Sequence, residues 1–337
     1  MAVSQSASNY WYKSNLVAVG GVLLTFLICS LLFPPTHSLW LDETSSYFFS
    51  TLPWGQYFEH MVNAEANMSL YYTLLKVYLL TGFEGAFYIR MLSVIFALLT
   101  IVCAYLFCRD AINKRVAFWV ALFLAFNPFL YQYAWEARSY SMLAFFGALC
   151  VLLFWRALQS NNRRNWVAYG LVAGIGLYSH LFLGLLFIAQ YLFALVFLVL
   201  RRQLTSYIYN LVLAGLVLTV IAIPILLFFI LVGSDAANIA WIQKAGLSDL
   251  VHFFQNAIKT KFSHNDIPYY GSLALIVVCL LGVACVVVRG FMSKNMDQRF
   301  VVVTYLAMIV VTPPILLFLL QFQPYIYLCK FNDCKHD

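Results

Sequence analysis

Of 337 residues, 64% are hydrophobic and 18% aromatic, and only 10% carry a charge, a composition well outside that of soluble domains. The formal net charge of +7 is no argument for nucleic acid, because in so apolar a chain lysine and arginine first report which loops stay in the cytoplasm. The class is an all-α polytopic membrane protein, with membrane lipids as its surroundings and no nucleic acid as partner.

A crossing helix needs roughly 17–25 mostly apolar residues. The first candidate is 15–33, where Lys13 precedes a long apolar run with no small-residue cleavage signal, so the segment reads as a retained anchor. A first outer loop with interfacial helices follows at 34–83. Within it 68–82 is apolar but only about 15 residues long, below the usual spanning length, and is expected to lie in the interface or re-enter from one side. Further spans are expected at 84–108, 115–131, 138–158, 166–179, 181–200, 206–232, 269–289 and 300–320, about nine in all. Charge fixes the direction. With the N-terminus inside and 68–82 not crossing, the clusters at 109–115, 156–164, 201–202 and 289–299 all fall on the cytoplasmic side. If 68–82 crossed, all of them would lie outside.

The loop 233–268 is expected outside as well. Its Leu247, Leu250, Val251, Phe254 and Ile258 recur at helical spacing, and Lys244, Lys259 and Lys261 border them, the pattern of a helix on the membrane surface. The domain organisation is therefore one transmembrane domain over 1–320 and an atypical polar tail over 321–337. Cys29, Cys103, Cys108, Cys150, Cys279 and Cys285 sit in or beside apolar runs without the paired spacing of a metal or disulfide framework.

Chemistry, if there is any, belongs to the polar residues that this topology gathers on the outer face: Asp42, Glu43, Glu59, Glu65, Glu84, Arg90, Glu136, Arg138 and His180. Ser38-Leu39-Trp40-Leu41-Asp42-Glu43-Thr44 places two adjacent carboxylates just beyond the first span. They suit a catalytic base, and equally a helix start, where acids favour the positive end of the dipole. Neighbours on a helix point about 100° apart, so Asp42 and Glu43 should face different surroundings, with Asp42 the stronger candidate base and Glu43 the stronger structural partner. Arg90 near a span end reads as functional or as a snorkelling arginine. Glu136 and Arg138 are close enough for a local ion pair, which leaves that alternative open too.

Taken together, Leu39-Trp40-Leu41-Asp42-Glu43, Leu70-Tyr71-Tyr72-Thr73-Leu74-Leu75, Arg90-Met91-Leu92-Ser93, Asn127-Pro128 with Glu136-Ala137-Arg138-Ser139-Tyr140, and Tyr178-Ser179-His180 resemble bacterial relatives of the dolichyl-phosphate-mannose protein mannosyltransferases. These are C-type membrane glycosyltransferases that use polyprenyl-phosphate-linked sugars. The resemblance implies sugar transfer from such a donor to a lipid, glycan or protein acceptor on the periplasmic or extracellular side of a bacterial inner membrane, with inversion. It implies Asp42 as general base, with Glu43 and Glu136 as the other catalytic acids, and Arg90 and Arg138 as contacts for substrate and its phosphate. Glu65 and His180 resemble a pair that holds a divalent ion in the lipid A aminoarabinose transferases, so they are assigned to substrate binding, or to a metal site of only two ligands where catalytic zinc takes three. The chain departs from the pattern at its end, where 328–337 turns abruptly polar, as in a truncated or frameshifted reading frame. Two other readings therefore stand beside the transferase: a polytopic transporter or flippase, and an inactive truncated transferase.

Overall fold

The computed structural model describes residues 2–63, 66–83, 85–200, 203–231 and 298–319, and every regular element among them is helical. In chain order these are α1 (Ala2–Leu32), α2 (Leu41–Thr51), α3 (Trp54–Asn63), α4 (Ser69–Leu79), α5 (Ala86–Ala111), α6 (Lys114–Ala125), α7 (Pro128–Ala134), α8 (Tyr140–Ser160), α9 (Arg163–Leu177), α10 (Leu183–Leu200), α11 (Leu204–Leu231) and α12 (Gln298–Leu319). Glu65, Glu84, the loop 233–268, the span expected at 269–289 and the tail 321–337 lie outside the described residues.

Among the described residues, α5, α8 and the Tyr207–Phe228 part of α11 are long and apolar enough to cross a membrane. At a rise of 1.5 Å per residue, α5 is about 39 Å long, ample for a hydrocarbon core of about 30 Å. The α4 helix, with 11 residues, reaches only about 16 Å, roughly half of such a core. The expected span at 115–131 is different from a single helix. It is broken into α6 and α7, which meet at 58°. The cause is local: Pro128 opens α7, where its missing N–H is no loss, and the Asn127 side chain accepts the Leu130 N–H at 2.9 Å. A proline biases the residue before it away from helical geometry, so the chain turns there instead of running straight.

The chain forms two compact units. The first is Met1–Gly184 with Leu198–Val232. In it α5 packs on α6 and α8, α9 on α8 and α11, and α2 on α4. The α9–α11 contact is unusually close. A Cβ added at Gly170 would meet the Ala214 carbonyl oxygen at 2.5 Å, and one at Gly174 would meet Ile221 Cβ at 2.7 Å, so only glycine lets these backbones approach. The buried Tyr71, Tyr72, Leu75, Ile89 and Met142 form a cluster on which Leu39 and the α2 residues Tyr47 and Phe49 pack. The α3 helix buries Tyr57 and Met61 and exposes Trp54, Phe58 and Val62, an apolar ridge recurring every four residues. In the second unit, Leu185–Phe197 with Gly233–Asp337, the buried Gln190 donates from Nε2 to the Tyr305 hydroxyl at 2.7 Å, and Phe193 packs on the same ring.

Candidate functional site

The site begins with the first turn of α2. Glu43, third in the helix, accepts the Trp40 N–H on Oε2 at 3.2 Å, while the Trp40 carbonyl accepts from Thr44 N at 2.9 Å. This closes the turn and relieves one of the four unpaired N–H groups at a helix start. Once it is closed, Asp42 and Glu43 point to different places, as the helical period requires.

Glu43 is sealed in. Arg90 of α5 donates to its two oxygens from Nε and Nη2, each at 2.7 Å, and Ala137 N donates to Oε1 at 2.8 Å. Arg90 also reaches the carbonyls of His37 and Ser38 at 3.2 Å. Both side chains are essentially inaccessible, at 1% for Arg90 and 0% for Glu43. Burial alone would raise the Glu43 pKa. The Arg90 hydrogen bonds, the Ala137 N–H, the Arg90 charge and the Trp40 N–H outweigh it and hold the carboxyl below the usual carboxylate range. A bidentate pair of this kind, with its other oxygen lone pairs taken by backbone N–H groups, is the geometry in which a buried ion pair is sustainable. It joins residues 37–43, α5 and the turn before α8 at one point.

Asp42 is open by contrast. Its side chain is 39% exposed, and Oδ2 lies 3.7 Å from Arg138 Nη2. The buried Arg138 has Nη1 3.3 Å from the Tyr72 hydroxyl and 3.4 Å from both Ser46 Oγ and the Asp42 carbonyl, and its side chain also hydrogen-bonds Tyr140. Its Nε meets no hydrogen-bond partner among the described residues. The Nη1 contacts are at the long end of the hydrogen-bond range. A tight turn brings Arg138 here, its N–H bonded to the Glu136 carbonyl at 2.8 Å. The same turn aims the Ala137 N–H at Glu43. Glu136 itself is half-buried and accepts from Gln132 Nε2 at 3.2 Å. Tyr140, at the start of α8, lies within electrostatic reach of Arg138, Glu136 and Asp42 together.

His180 closes the far side. The turn expected there exists, between α9 and α10, and it docks on the start of α4: Leu70 N donates to the Tyr178 carbonyl at 3.0 Å and Leu181 N to Asn67 Oδ1 at 3.1 Å. The His180 ring stacks on Phe182 at 4.6 Å, and its Nδ1 accepts from Phe182 N at 3.2 Å. Burial first, then the neighbouring Arg138 charge, pull its pKa down to about 4, so the imidazole is neutral near pH 7.

Residues 68–228 match the family model of the dolichyl-phosphate-mannose-protein mannosyltransferases. No curated protein matches the chain. The mannosyltransferase match contains Arg90, Glu136, Arg138 and His180, and Asp42, Glu43 and Glu65 come before it. It supports glycosyltransferase chemistry for a membrane protein, the coarse reading that the motifs had led to. Sequence reasoning passed over Ser46 and Tyr72 as site residues, although Asp42, Ser46 and Ser50 recur every four residues, the signature of one polar face on α2. For a divalent ion, His180 would have Glu65, outside the described residues, as its partner. Among the described residues no group of three or more His, Cys, Asp or Glu side chains is placed to hold a metal, so this donor set falls short of a three-ligand centre.

Proposed function

We propose that the protein transfers a sugar from a polyprenyl-phosphate donor to an acceptor hydroxyl at the outer membrane face, with Asp42 as general base. The observation that carries this is the contrast within one dipeptide: Glu43 is sealed by Arg90, while Asp42 is partly exposed with Arg138 Nη2 3.7 Å from its carboxylate. In the reaction the acceptor oxygen bonds to the anomeric carbon, the bond from that carbon to the phosphate oxygen breaks, and the hydroxyl proton passes to Asp42. A single base acting opposite the leaving group gives inversion. The departing phosphate gains negative charge, which fixed positive groups must meet. Arg138, whose Nε meets no hydrogen-bond partner among the described residues and whose contacts to Asp42, Ser46 and Tyr72 are long, has donor capacity to offer it. Arg90 has both oxygens of Glu43 and two carbonyls already in hand, so in this reading Arg90 and Glu43 are positioning residues. Glu136 is assigned to orienting the acceptor. Neutral His180 contributes a polar wall beside Arg138 and takes no proton. The mechanism routes no step through a metal ion.

The same reading sets the chain as about nine spans in a bacterial inner membrane, with residues 34–83 and the 136–140 and 178–181 turns outside. Its acceptor is a lipid, glycan or protein. The test uses membranes carrying the full chain and a labelled polyprenyl-phosphate mannose, with release of polyprenyl phosphate as readout. Asp42→Asn should lower release, measured per folded protein, by roughly 10²–10⁴-fold. Unchanged release in the variant refutes the base assignment, and movement of intact donor across the bilayer without cleavage identifies a flippase instead. Labelling of single cysteines at positions 42 and 136 from opposite sides of the membrane also ends the proposal.

A further inference from the structure

A cation that the transferase reading leaves unused sits at the other end of α2. Lys76 of α4 is buried, and its Nζ donates to the Ser50 carbonyl at 3.2 Å and to the Leu52 carbonyl. The ammonium also lies over the Trp54 ring at 4.7 Å and the Tyr57 ring at 5.4 Å. As a cap on the α2 C-terminus it meets only the partial negative charge of a helix end, about half an elementary charge. No carboxylate lies within ion-pair distance of it among the described residues. Buried ammonium groups ordinarily have a full counter-charge.

Capping accounts for the two carbonyl contacts and leaves the space beside them unexplained. A cavity of about 200 Å³ opens there, lined by Tyr47, Ser50, Thr51, Lys76, Leu79 and Leu80. The Ser50 and Thr51 hydroxyls already donate to backbone carbonyls, so the donors left to a ligand are the Tyr47 hydroxyl and the ammonium. Leu80 of that lining is an exposed apolar side chain, Phe48 and Val77 are exposed next to Tyr47 and Lys76 in the chain, and the Trp54, Phe58 and Val62 ridge of α3 is nearby in sequence. Polar donors in a cavity that also has apolar Leu79 and Leu80 in its lining suit a molecule with an anionic head and hydrocarbon tails.

We propose that this cavity binds the phosphodiester of a bilayer phospholipid, its oxygens on Lys76 and Tyr47 and its acyl chains along Leu79 and Leu80. The donor's own phosphate is excluded by distance. Asp42 and Ser50 are eight residues apart on one helix, about 12 Å by helical rise, whereas the donor phosphate is one bond from the carbon that reacts beside Asp42. The lipid would thus lock the C-terminal end of the helix whose N-terminal end carries the base. The site stands whether or not Asp42 is that base, because binding is read without turnover.

The test is native mass spectrometry of the full chain in a non-ionic detergent, with dioleoylphosphatidylglycerol as probe, dioleoylglycerol as the phosphate-free control and inorganic phosphate as competitor. The wild type should retain the phospholipid and not dioleoylglycerol. Lys76→Met should weaken retention at least about tenfold, the scale of a lost charge-assisted contact, while Lys76→Arg should keep it. Leu79→Trp, which fills the cavity and leaves the ammonium in place, should weaken it too, so the outcome does not depend on one variant folding. Equal retention by the wild type, Lys76→Met and Leu79→Trp overturns the proposal. So does equal binding of dioleoylglycerol, or displacement of the lipid by an equal concentration of inorganic phosphate, which marks a free-anion site.

Discussion

Substituting Glu43 by Gln removes one negative charge and almost no volume. In the wild type the carboxylate accepts four hydrogen bonds, two from Arg90 at 2.7 Å, one from Ala137 N at 2.8 Å and one from Trp40 N at 3.2 Å. The amide that replaces it presents one oxygen and one donor NH₂ to a guanidinium that has only donors. Arg90 is then a buried charge without a counter-charge, a situation that costs about 3–5 kcal/mol. Against a typical total stability of about 5–15 kcal/mol, that is a large share, and the variant should melt well below the wild type. Arg90→Met should cost a similar amount for the mirror-image reason, leaving Glu43 buried and unpaired. The double variant should cost clearly less than the sum of the two, since a neutral amide beside a thioether strands no charge. Thermal unfolding of the purified protein, followed by tryptophan fluorescence across this cycle, measures the coupling. Losses that simply add, or a Glu43→Gln protein as stable as the wild type, would refute the claim that this pair holds residues 37–43 to α5.

Two other outcomes follow from the same geometry. Gly170→Val should destabilise the protein by roughly 1–3 kcal/mol, the usual cost of overpacking, because its Cβ would lie 2.5 Å from the Ala214 carbonyl, a backbone atom that cannot swing away; Gly184→Ala, where the nearest atom would be 3.7 Å off, serves as the tolerated control in the same melting experiment. His180 makes stability pH-dependent in a definite direction. Its folded pKa of about 4 is below the ordinary 6.5, so its contribution is complete above about 6.5 and falls away down to about 4, by roughly 3 kcal/mol in total at 1.4 kcal/mol per pH unit. His180→Phe should flatten the melting profile across that window, and a variant that keeps the wild-type slope shows that another group is titrating.

Much of this was legible in the residues themselves. Composition and run length gave a helical membrane chain, the 68–82 segment expected not to cross holds an 11-residue helix, and the turn at His180 is where the polar break in the apolar pattern put it. The motif order led to a likeness to the mannosyltransferases, whose family model matches residues 68–228. The helical period alone separated Asp42 from Glu43. It could not say which partner each would meet, because those partners come from residues 47 and 94–96 positions further on, and no local pattern encodes such a meeting. Arg90, expected to hold a phosphate, closes on Glu43, and Arg138, expected beside Glu136, reaches across to Asp42.

What the sequence by itself determined was the material and its periodicity: apolar lengths that suit a bilayer, a proline that divides α6 from α7, acids and bases assembled in order. Only the tertiary structure decided which charges are buried in pairs and which stay open, since burial is a property of everything packed around a side chain. The same holds for the glycines of α9, whose purpose appears only once α11 lies against them, and for Lys76, a lone lysine within an apolar stretch of the chain and a buried cation on two backbone carbonyls in the fold.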